Sequence, residues 1–202
     1  IPRLYDAVEG TVAIDGTDVK DMKQMDLRMA IGVVPQTAML FTGTIKENLL
    51  WGDRNATDEE LESACRAAQI YGLIERMPDR FATRVGQKGV NLSGGQRQRL
   101  SIARALMRKP AILLFDDSTS ALDINTERRL LAALKNYRST KIFITQKIST
   151  AKEADKILLL KDGEKIAEGT HENLMKHSAL YNEILKSQNE EGRESHAIQT
   201  HR

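Results

Sequence analysis

Short apolar runs alternate with amphipathic stretches along the chain. Residues 31–35, 111–115 and 141–145 read IGVVP, AILLF and KIFIT, and each run is followed by a polar side chain. Runs of this kind are typical of buried strands, and the acids after residue 115 would lie at a strand's carboxyl end. Open α/β sheets bind their ligands at that end of the strands.

Helical spacing of apolar residues appears between these runs. Residues 59–71, 93–109 and 125–137 carry apolar or small residues at intervals of three and four, which predicts helices. Thr57, with Glu60 three residues later, forms a predicted capping box before the first of them. In the last turn of the second, Arg108, Lys109 and then Pro110 predict a helix end.

Hairpins and short helices are predicted at the two ends of the chain. Residues 10–16 alternate in polarity and end in a turn signal, which predicts one strand of an antiparallel hairpin. Asp162-Gly163 is a hairpin turn signal between two strand-like runs. Residues 170–187 predict two short helices, and the polar residues 188–202 predict a disordered tail.

Composition narrows the possible partners. The 202 residues carry a net charge of +2, from 30 basic and 28 acidic side chains, which argues against a broad nucleic-acid footprint. No run approaches 18 apolar residues, so no membrane span is predicted. Cys65 is the single cysteine and cannot form an internal disulfide.

The stretch that bears most directly on function is NLSGGQRQRL, residues 91–100. Ser93 is a good N-cap, and Gly94 and Gly95 allow a ligand to approach the backbone closely. The N-terminus of such a helix favours an anion, above all a phosphate, so Ser93 to Gln96 is a candidate phosphate contact. An ordinary glycine-rich turn before a surface helix would explain the same residues.

Together with AILLFDD, residues 111–117, this stretch resembles the nucleotide-binding domain of the ABC (ATP-binding cassette) ATPases. In that family LSGGQ is the signature motif and ILLFDD is Walker B. The resemblance implies a P-loop NTPase cassette of α/β class. Its parallel core sheet is flanked by helices, with an antiparallel β subdomain and an inserted α-helical subdomain at about residues 45–108. It implies one partial nucleotide-binding domain over residues 1–187.

The resemblance assigns roles to further residues. Gln36 corresponds to the Q-loop glutamine, which contacts the metal and water, and Asp116 to the Walker B aspartate, which holds Mg²⁺. Asp123, in SALD, corresponds to the D-loop residue that couples the two sites of a dimer. The implied ligands are ATP and Mg²⁺, and Gln36 and Asp116 are the implied metal contacts. The implied nucleotide-binding residues are Gln36, Ser93, Gly94, Gly95, Gln96, Asp116 and Asp123.

Two catalytic positions depart from the family pattern. Asp117 stands where a glutamate normally acts on the attacking water, and a misplacement of about an ångström can cost about a hundredfold in rate. Gln146 stands where a histidine normally contacts the γ-phosphate, and glutamine can carry neither a proton nor a positive charge. Together they predict a site that binds nucleotide but turns it over slowly.

The phosphate-binding motif G-x-x-x-x-G-K-[ST] is absent from the 202 residues, and the family places it upstream of residue 1. We therefore expect the sequence to be a truncated cassette that folds poorly alone.

An intact signature beside altered catalytic residues favours an asymmetric dimer. In ABC dimers each nucleotide lies between the Walker motifs of one cassette and the signature of the other. The implied partners are a second nucleotide-binding domain, in a heterodimer, and the transmembrane domains of an exporter at the cytoplasmic face of the membrane. Residues 82–89 resemble the exporter X-loop, although Arg84, Gln87 and Lys88 make it more basic. Two alternatives stay open: a regulatory nucleotide-binding module, and a soluble ABC ATPase acting on ribosomes or DNA.

Overall fold

The computed structural model describes residues 1–188 and divides the chain into two compact units, Ile1–Ile144 and Thr145–Arg202. The sequence predicted one domain over residues 1–187. In the structure the residues after Ile144 form a separate small core around Tyr181 and Leu174, which explains the division. No helix among residues 1–188 is long and apolar enough to cross a membrane.

The first unit alternates strands with helices. In chain order it contains β1 (Ala13–Ile14), β2 (Thr17–Asp18), α1 (Gln24–Met29), β3 (Ile31–Val34), β4 (Gly43–Thr44), α2 (Ile45–Leu50), α3 (Asp58–Ala67), α4 (Tyr71–Arg76), β5 (Arg84–Val85), α5 (Gly94–Met107), β6 (Ile112–Asp116), α6 (Ile124–Leu134) and β7 (Thr140–Ile144).

The central sheet of this unit is parallel, as the apolar runs predicted. Its order is β3-β6-β7, with Val34 opposite Phe115 and Phe115 opposite Phe143. Leu113 and Phe115 are buried, and the Phe115 and Phe143 rings stack with centroids 4.5 Å apart. The prediction of a buried strand at β7 was too strong, because its central residues are half-buried and Ile144 is 49% exposed.

Two antiparallel pairs accompany the sheet. β1 pairs with β2 and β4 pairs with β5, and each of these strands is only two residues long. The strand predicted over residues 10–16 is therefore confirmed only at Ala13–Ile14, where it forms the expected antiparallel hairpin with β2.

Helices form in all three predicted stretches, but the first prediction, residues 59–71, was too long, because α3 ends at Ala67 and α4 begins at Tyr71. Thr57 and Ser93 both cap helices through complete capping boxes. α5 ends at Met107, two residues before the predicted end, and its inward residues Leu100, Ala103 and Leu106 are buried. α5 packs against α2, α3 and β3, so the helix that carries the glycine-rich start is the centre of the main core.

The second unit contains α7 (Ile148–Ala151), β8 (Ile157–Lys161), β9 (Glu164–Gly169) and α8 (His171–His177). β8 and β9 form the predicted antiparallel hairpin around Asp162-Gly163. Residues 179–188 are helical, which gives the second of the two predicted helices. Gln188 was assigned to the disordered tail, but it is helical and accepts a hydrogen bond from the Ile148 amide at 2.9 Å. The rest of the predicted tail, residues 189–202, lies outside the described residues.

Candidate nucleotide site

The N-terminus of α5 is held by a reciprocal pair of hydrogen bonds. The backbone N–H of Gln96 donates to Ser93 Oγ at 3.3 Å, and the backbone N–H of Ser93 donates to Gln96 Oε1 at 2.9 Å. A hydroxyl that accepts one bond still has a hydrogen to donate. Ser93 can therefore cap the helix and donate to a phosphate oxygen at the same time, and both it and Gly94 are exposed.

The two glycines at this helix start differ in their surroundings. A Cβ on Gly95 would lie 3.0 Å from the Ala121 carbonyl oxygen, whereas a Cβ on Gly94 would meet only Arg97 Nη2 at 4.0 Å. The absence of a side chain at Gly95 thus lets α5 approach the loop before α6. The structure brings the candidate phosphate contact and the predicted D-loop segment together.

A second group of polar residues gathers at the carboxyl edge of the sheet. Asp116 ends β6 and Asp117 follows it, while Gln36 lies two residues beyond β3, the neighbouring strand. Gln36 Nε2 donates to Asp117 Oδ2 at 3.2 Å. The structure therefore joins two of the predicted site residues, 81 positions apart in sequence.

The backbone of Asp117 is in the left-handed region, at φ 42°. Its amide donates to the Ile144 carbonyl at 2.8 Å, and its own carbonyl accepts from Ser120 Oγ at 2.8 Å. Left-handed backbone is uncommon outside glycine, and aspartate and asparagine tolerate it best. The short acid at this position thus fits a turn that the backbone bonds hold in place.

Asp123 has a structural task of its own. Its Oδ1 accepts from the Thr126 amide at 2.9 Å and caps α6. Hydrogen bonds from the Thr126 hydroxyl and amide lower the pKa of Asp123. The exposed side chain stays ionised at neutral pH, as a cap and as a charged group near the glycine-rich helix start.

Gln146 is the one predicted site residue in the second unit. It lies two positions after the end of β7, and its side chain is exposed. Its carbonyl accepts a hydrogen bond from Gln188 Nε2.

Gln98 belongs near the site and was missed by the sequence reasoning. It lies on the buried face of α5, is 2% exposed, and its Nε2 donates to the Pro35 carbonyl at 3.0 Å. Helical spacing puts Gln98 on the same face as Ile102 and Ala105, both of which are buried. A glutamine on an apolar stripe was the available signal, because a buried amide needs a hydrogen-bond partner.

The oxygens at the sheet edge suit Mg²⁺. This ion prefers oxygen ligands and is usually held by one or two carboxylates together with substrate phosphates. Asp116 and Asp117 offer adjacent carboxylates. Because the nitrogen of Gln36 is engaged with Asp117, its carbonyl oxygen is the atom that can face a cation.

The chain is similar to proteins of known family. The family model described as "ABC transporter" matches residues 1–120. The chain is 55% identical over 196 residues to the uncharacterized ABC transporter ATP-binding protein YfiB of Bacillus subtilis, covering 96% of this chain and 34% of that protein. It is 42% identical to the mitochondrial iron-sulfur clusters transporter atm1 of Aspergillus fumigatus, covering 92% of this chain and 26% of that protein.

A solved structure also matches. A bacterial Atm1-family ABC exporter with ATP bound superimposes with a TM-score of 0.89 at 40% identity, over 93% of this chain and 33% of the exporter chain. The chain thus spans between about a quarter and a third of the length of these relatives.

Proposed function

Because the chain belongs to the ABC transporter family, whose model matches residues 1–120, we propose that it is the nucleotide-binding cassette of a membrane exporter. It binds MgATP and hydrolyses it to drive transport. The observation that carries this proposal is the hydrogen bond between Gln36 and Asp117, which joins the Q-loop position to the Walker B edge.

Phosphoryl transfer depends mainly on positioning and charge stabilisation. Mg²⁺, when bound, neutralises charge that develops on the phosphate oxygens. Asp116 would hold the ion, and the carbonyl oxygen of the Gln36 side chain would be its second protein contact, because the nitrogen of that side chain is engaged with Asp117. Asp117 orients the attacking water and accepts its proton, and the Gln36 amide fixes the carboxylate that does so. Gln146 stands at the sequence position whose histidine contacts the γ-phosphate in the family, and its side-chain amide can donate a hydrogen bond.

The signature residues serve a second cassette. Ser93, Gly94, Gly95 and Gln96 contact the ATP that is bound to the Walker motifs of the partner. The exposed helix start and the available Ser93 hydroxyl support this role. Asp123, beside the close approach of Gly95 to Ala121, couples the two sites.

The two cassettes are unequal, and the assembly is a heterodimer. Asp117 is one methylene shorter than the glutamate of the family, and Gln146 replaces its histidine. This chain's own site therefore turns over slowly, while its intact signature completes a competent site on the partner. The relatives are about three to four times as long, which supports a longer protein with transmembrane domains and a cassette at the cytoplasmic face of the membrane. Residues 45–108 form the helical subdomain that faces those domains.

A regulatory module is the second candidate function. The same two substitutions favour it, because a site that holds nucleotide without turnover would keep the dimer closed. Measured turnover at this site separates the two candidates.

Asp116→Asn in the full-length assembly tests the proposal. We expect it to weaken the Mg²⁺ dependence of ATP binding at this chain's site and to reduce turnover there about a hundredfold, in the range for lost electrostatic stabilisation. Asp162→Asn, at the tip of the β8–β9 hairpin, is the matched control and should leave both unchanged. Equal Mg²⁺ dependence in wild type and Asp116→Asn would refute the assignment.

A further inference from the structure

Gln98 is a polar side chain enclosed in the main core. It is 2% exposed and lies in the second turn of α5, whose first residues are Gly94 and Gly95. A buried amide without a hydrogen-bond partner destabilises the folded state, so a buried glutamine is expected where its hydrogen bond is used.

The partner of Gln98 lies directly before the candidate site. Gln98 Nε2 donates to the Pro35 carbonyl at 3.0 Å, and Pro35 is followed by Gln36. Gln36 in turn donates to Asp117 Oδ2 at 3.2 Å. Two hydrogen bonds and one peptide unit therefore connect α5 with the carboxylate at the sheet edge.

The two elements that carry this connection, α5 and β3, pack tightly against each other. A Cβ on Gly32, in the middle of β3, would lie 2.8 Å from Pro110 Cγ and 3.4 Å from the Ala105 carbonyl oxygen. The strand is thus tightly packed where α5 ends, and Gln98 fixes the strand's other end. Val34, the last residue of β3, is fully buried.

We propose that Gln98 is a positioning residue that ties α5 to the Q-loop position and sets where Gln36 holds Asp117. This inference rests on the proposed function, since it takes Gln36 and Asp117 as parts of a MgATP site. It adds a physical link between the helix that serves the partner's ATP and the acid of this chain's own site.

A purely structural role for Gln98 predicts a different result. If the amide only satisfies a buried carbonyl, its loss should loosen α5 and weaken both nucleotide sites alike. If Gln98 acts through Gln36, its substitution should lower turnover only at this chain's own site. In a variant that already lacks Gln36, the same substitution should have no further effect on turnover.

The test uses the full-length protein in its two-cassette assembly and measures each site separately. Turnover at this chain's site is read with the partner cassette catalytically inactivated, and turnover at the partner's site is read in an assembly carrying Asp116→Asn in this chain. Gln98→Met keeps the length and removes the donor. Ser101→Ala is the matched control, because Ser101 is a buried residue one turn further along α5 whose Oγ makes no hydrogen bond within residues 1–188.

We expect Gln98→Met to lower kcat at this chain's site about threefold to tenfold, the range for one lost hydrogen bond. The KM for ATP should change less than twofold, and turnover at the partner's site should stay within twofold. Gln36→Ala should also lower kcat, and adding Gln98→Met to it should bring no further loss. Ser101→Ala should resemble wild type.

A fall in turnover at both sites in Gln98→Met would overturn the positioning role. So would a double variant, Gln36→Ala with Gln98→Met, in which the two reductions in turnover multiply. If Gln36→Ala itself leaves turnover unchanged, the proposed site fails; if it lowers turnover while Gln98→Met does not, only the role of Gln98 fails. Gln98→Glu decides the question if the methionine variant is unstable. A buried protonated carboxyl can donate to Pro35 and a carboxylate cannot, so turnover relative to wild type should be higher below the pKa of the introduced carboxyl than above it. A flat ratio would contradict the inference.

Discussion

Restoring the family residues at the two altered positions should speed up this chain's own site. Asp117→Glu moves the carboxylate forward by about an ångström, and a displacement of that size can change the rate about a hundredfold. Gln146→His adds a group that can carry a proton or a charge, for which about 10² to 10⁴ is typical. We therefore expect turnover at this site to rise at least tenfold in the double variant.

The structure predicts a small cost in stability for this gain. Asp117 has φ 42°, and a residue other than glycine, asparagine or aspartate pays about 1 kcal/mol in left-handed backbone. The bond of 3.2 Å from Gln36 must also re-form to a longer side chain. A loss of about 1 kcal/mol leaves a domain of ordinary stability folded, so the rate can be read.

The assay is ATP hydrolysis by the full-length assembly with the partner cassette inactivated. Asp117→Asn is the matched control, because it keeps the size of the side chain and its tolerance of left-handed backbone but removes the base. It should lower turnover while leaving the melting temperature unchanged. If the double variant hydrolyses ATP no faster than wild type, the idea of a weakened site is wrong.

Two further outcomes follow from the packing. Gly95→Ala should reduce turnover at the partner's site about tenfold more than Gly94→Ala. The reason is that the new Cβ at position 95 would lie 3.0 Å from the Ala121 carbonyl oxygen, whereas a Cβ at position 94 makes no such contact. Equal ATPase rates for the two variants would contradict this. Burial raises the pKa of Cys65 from the ordinary value of 9.0 to about 12. The folded state thus binds the Cys65 thiol proton more tightly than the unfolded state does. The folding free energy that this contributes is fully present below pH 9 and is lost as pH rises toward 12. Iodoacetamide should modify Cys65 at pH 8 only after unfolding, as measured by mass spectrometry of its peptide, and rapid labelling of the native protein would refute the prediction.

The features that the sequence predicted well are local. The capping boxes at Thr57 and Ser93 need only residues three positions apart, and the strand at residues 112–116 needs only an unbroken apolar run. Helical spacing also predicted the helix over residues 93–109, on which Leu100 and Leu106 are buried.

The features that the sequence did not predict join distant segments. The hydrogen bond between Gln36 and Asp117 spans 81 positions, and it depends on β3 and β6 being neighbours in register. The approach of Gly95 to Ala121 depends on how α5 meets the loop before α6. The family resemblance named these residues, but only the packed strands and helices show which of them touch.

The most direct measurement of the division of labour between the cassettes is ATP hydrolysis at the partner's site when Ser93 of this chain becomes alanine. Thr57→Ala is the matched control, since Thr57 and Ser93 cap their helices through the same reciprocal bonds and each loss costs about 1 kcal/mol of stability. We expect Ser93→Ala to reduce the partner's turnover at least tenfold, and Thr57→Ala to leave it within twofold. Full-speed hydrolysis by a partner of unchanged sequence, in an assembly carrying Ser93→Ala, would contradict the claim that this helix start serves the neighbouring ATP.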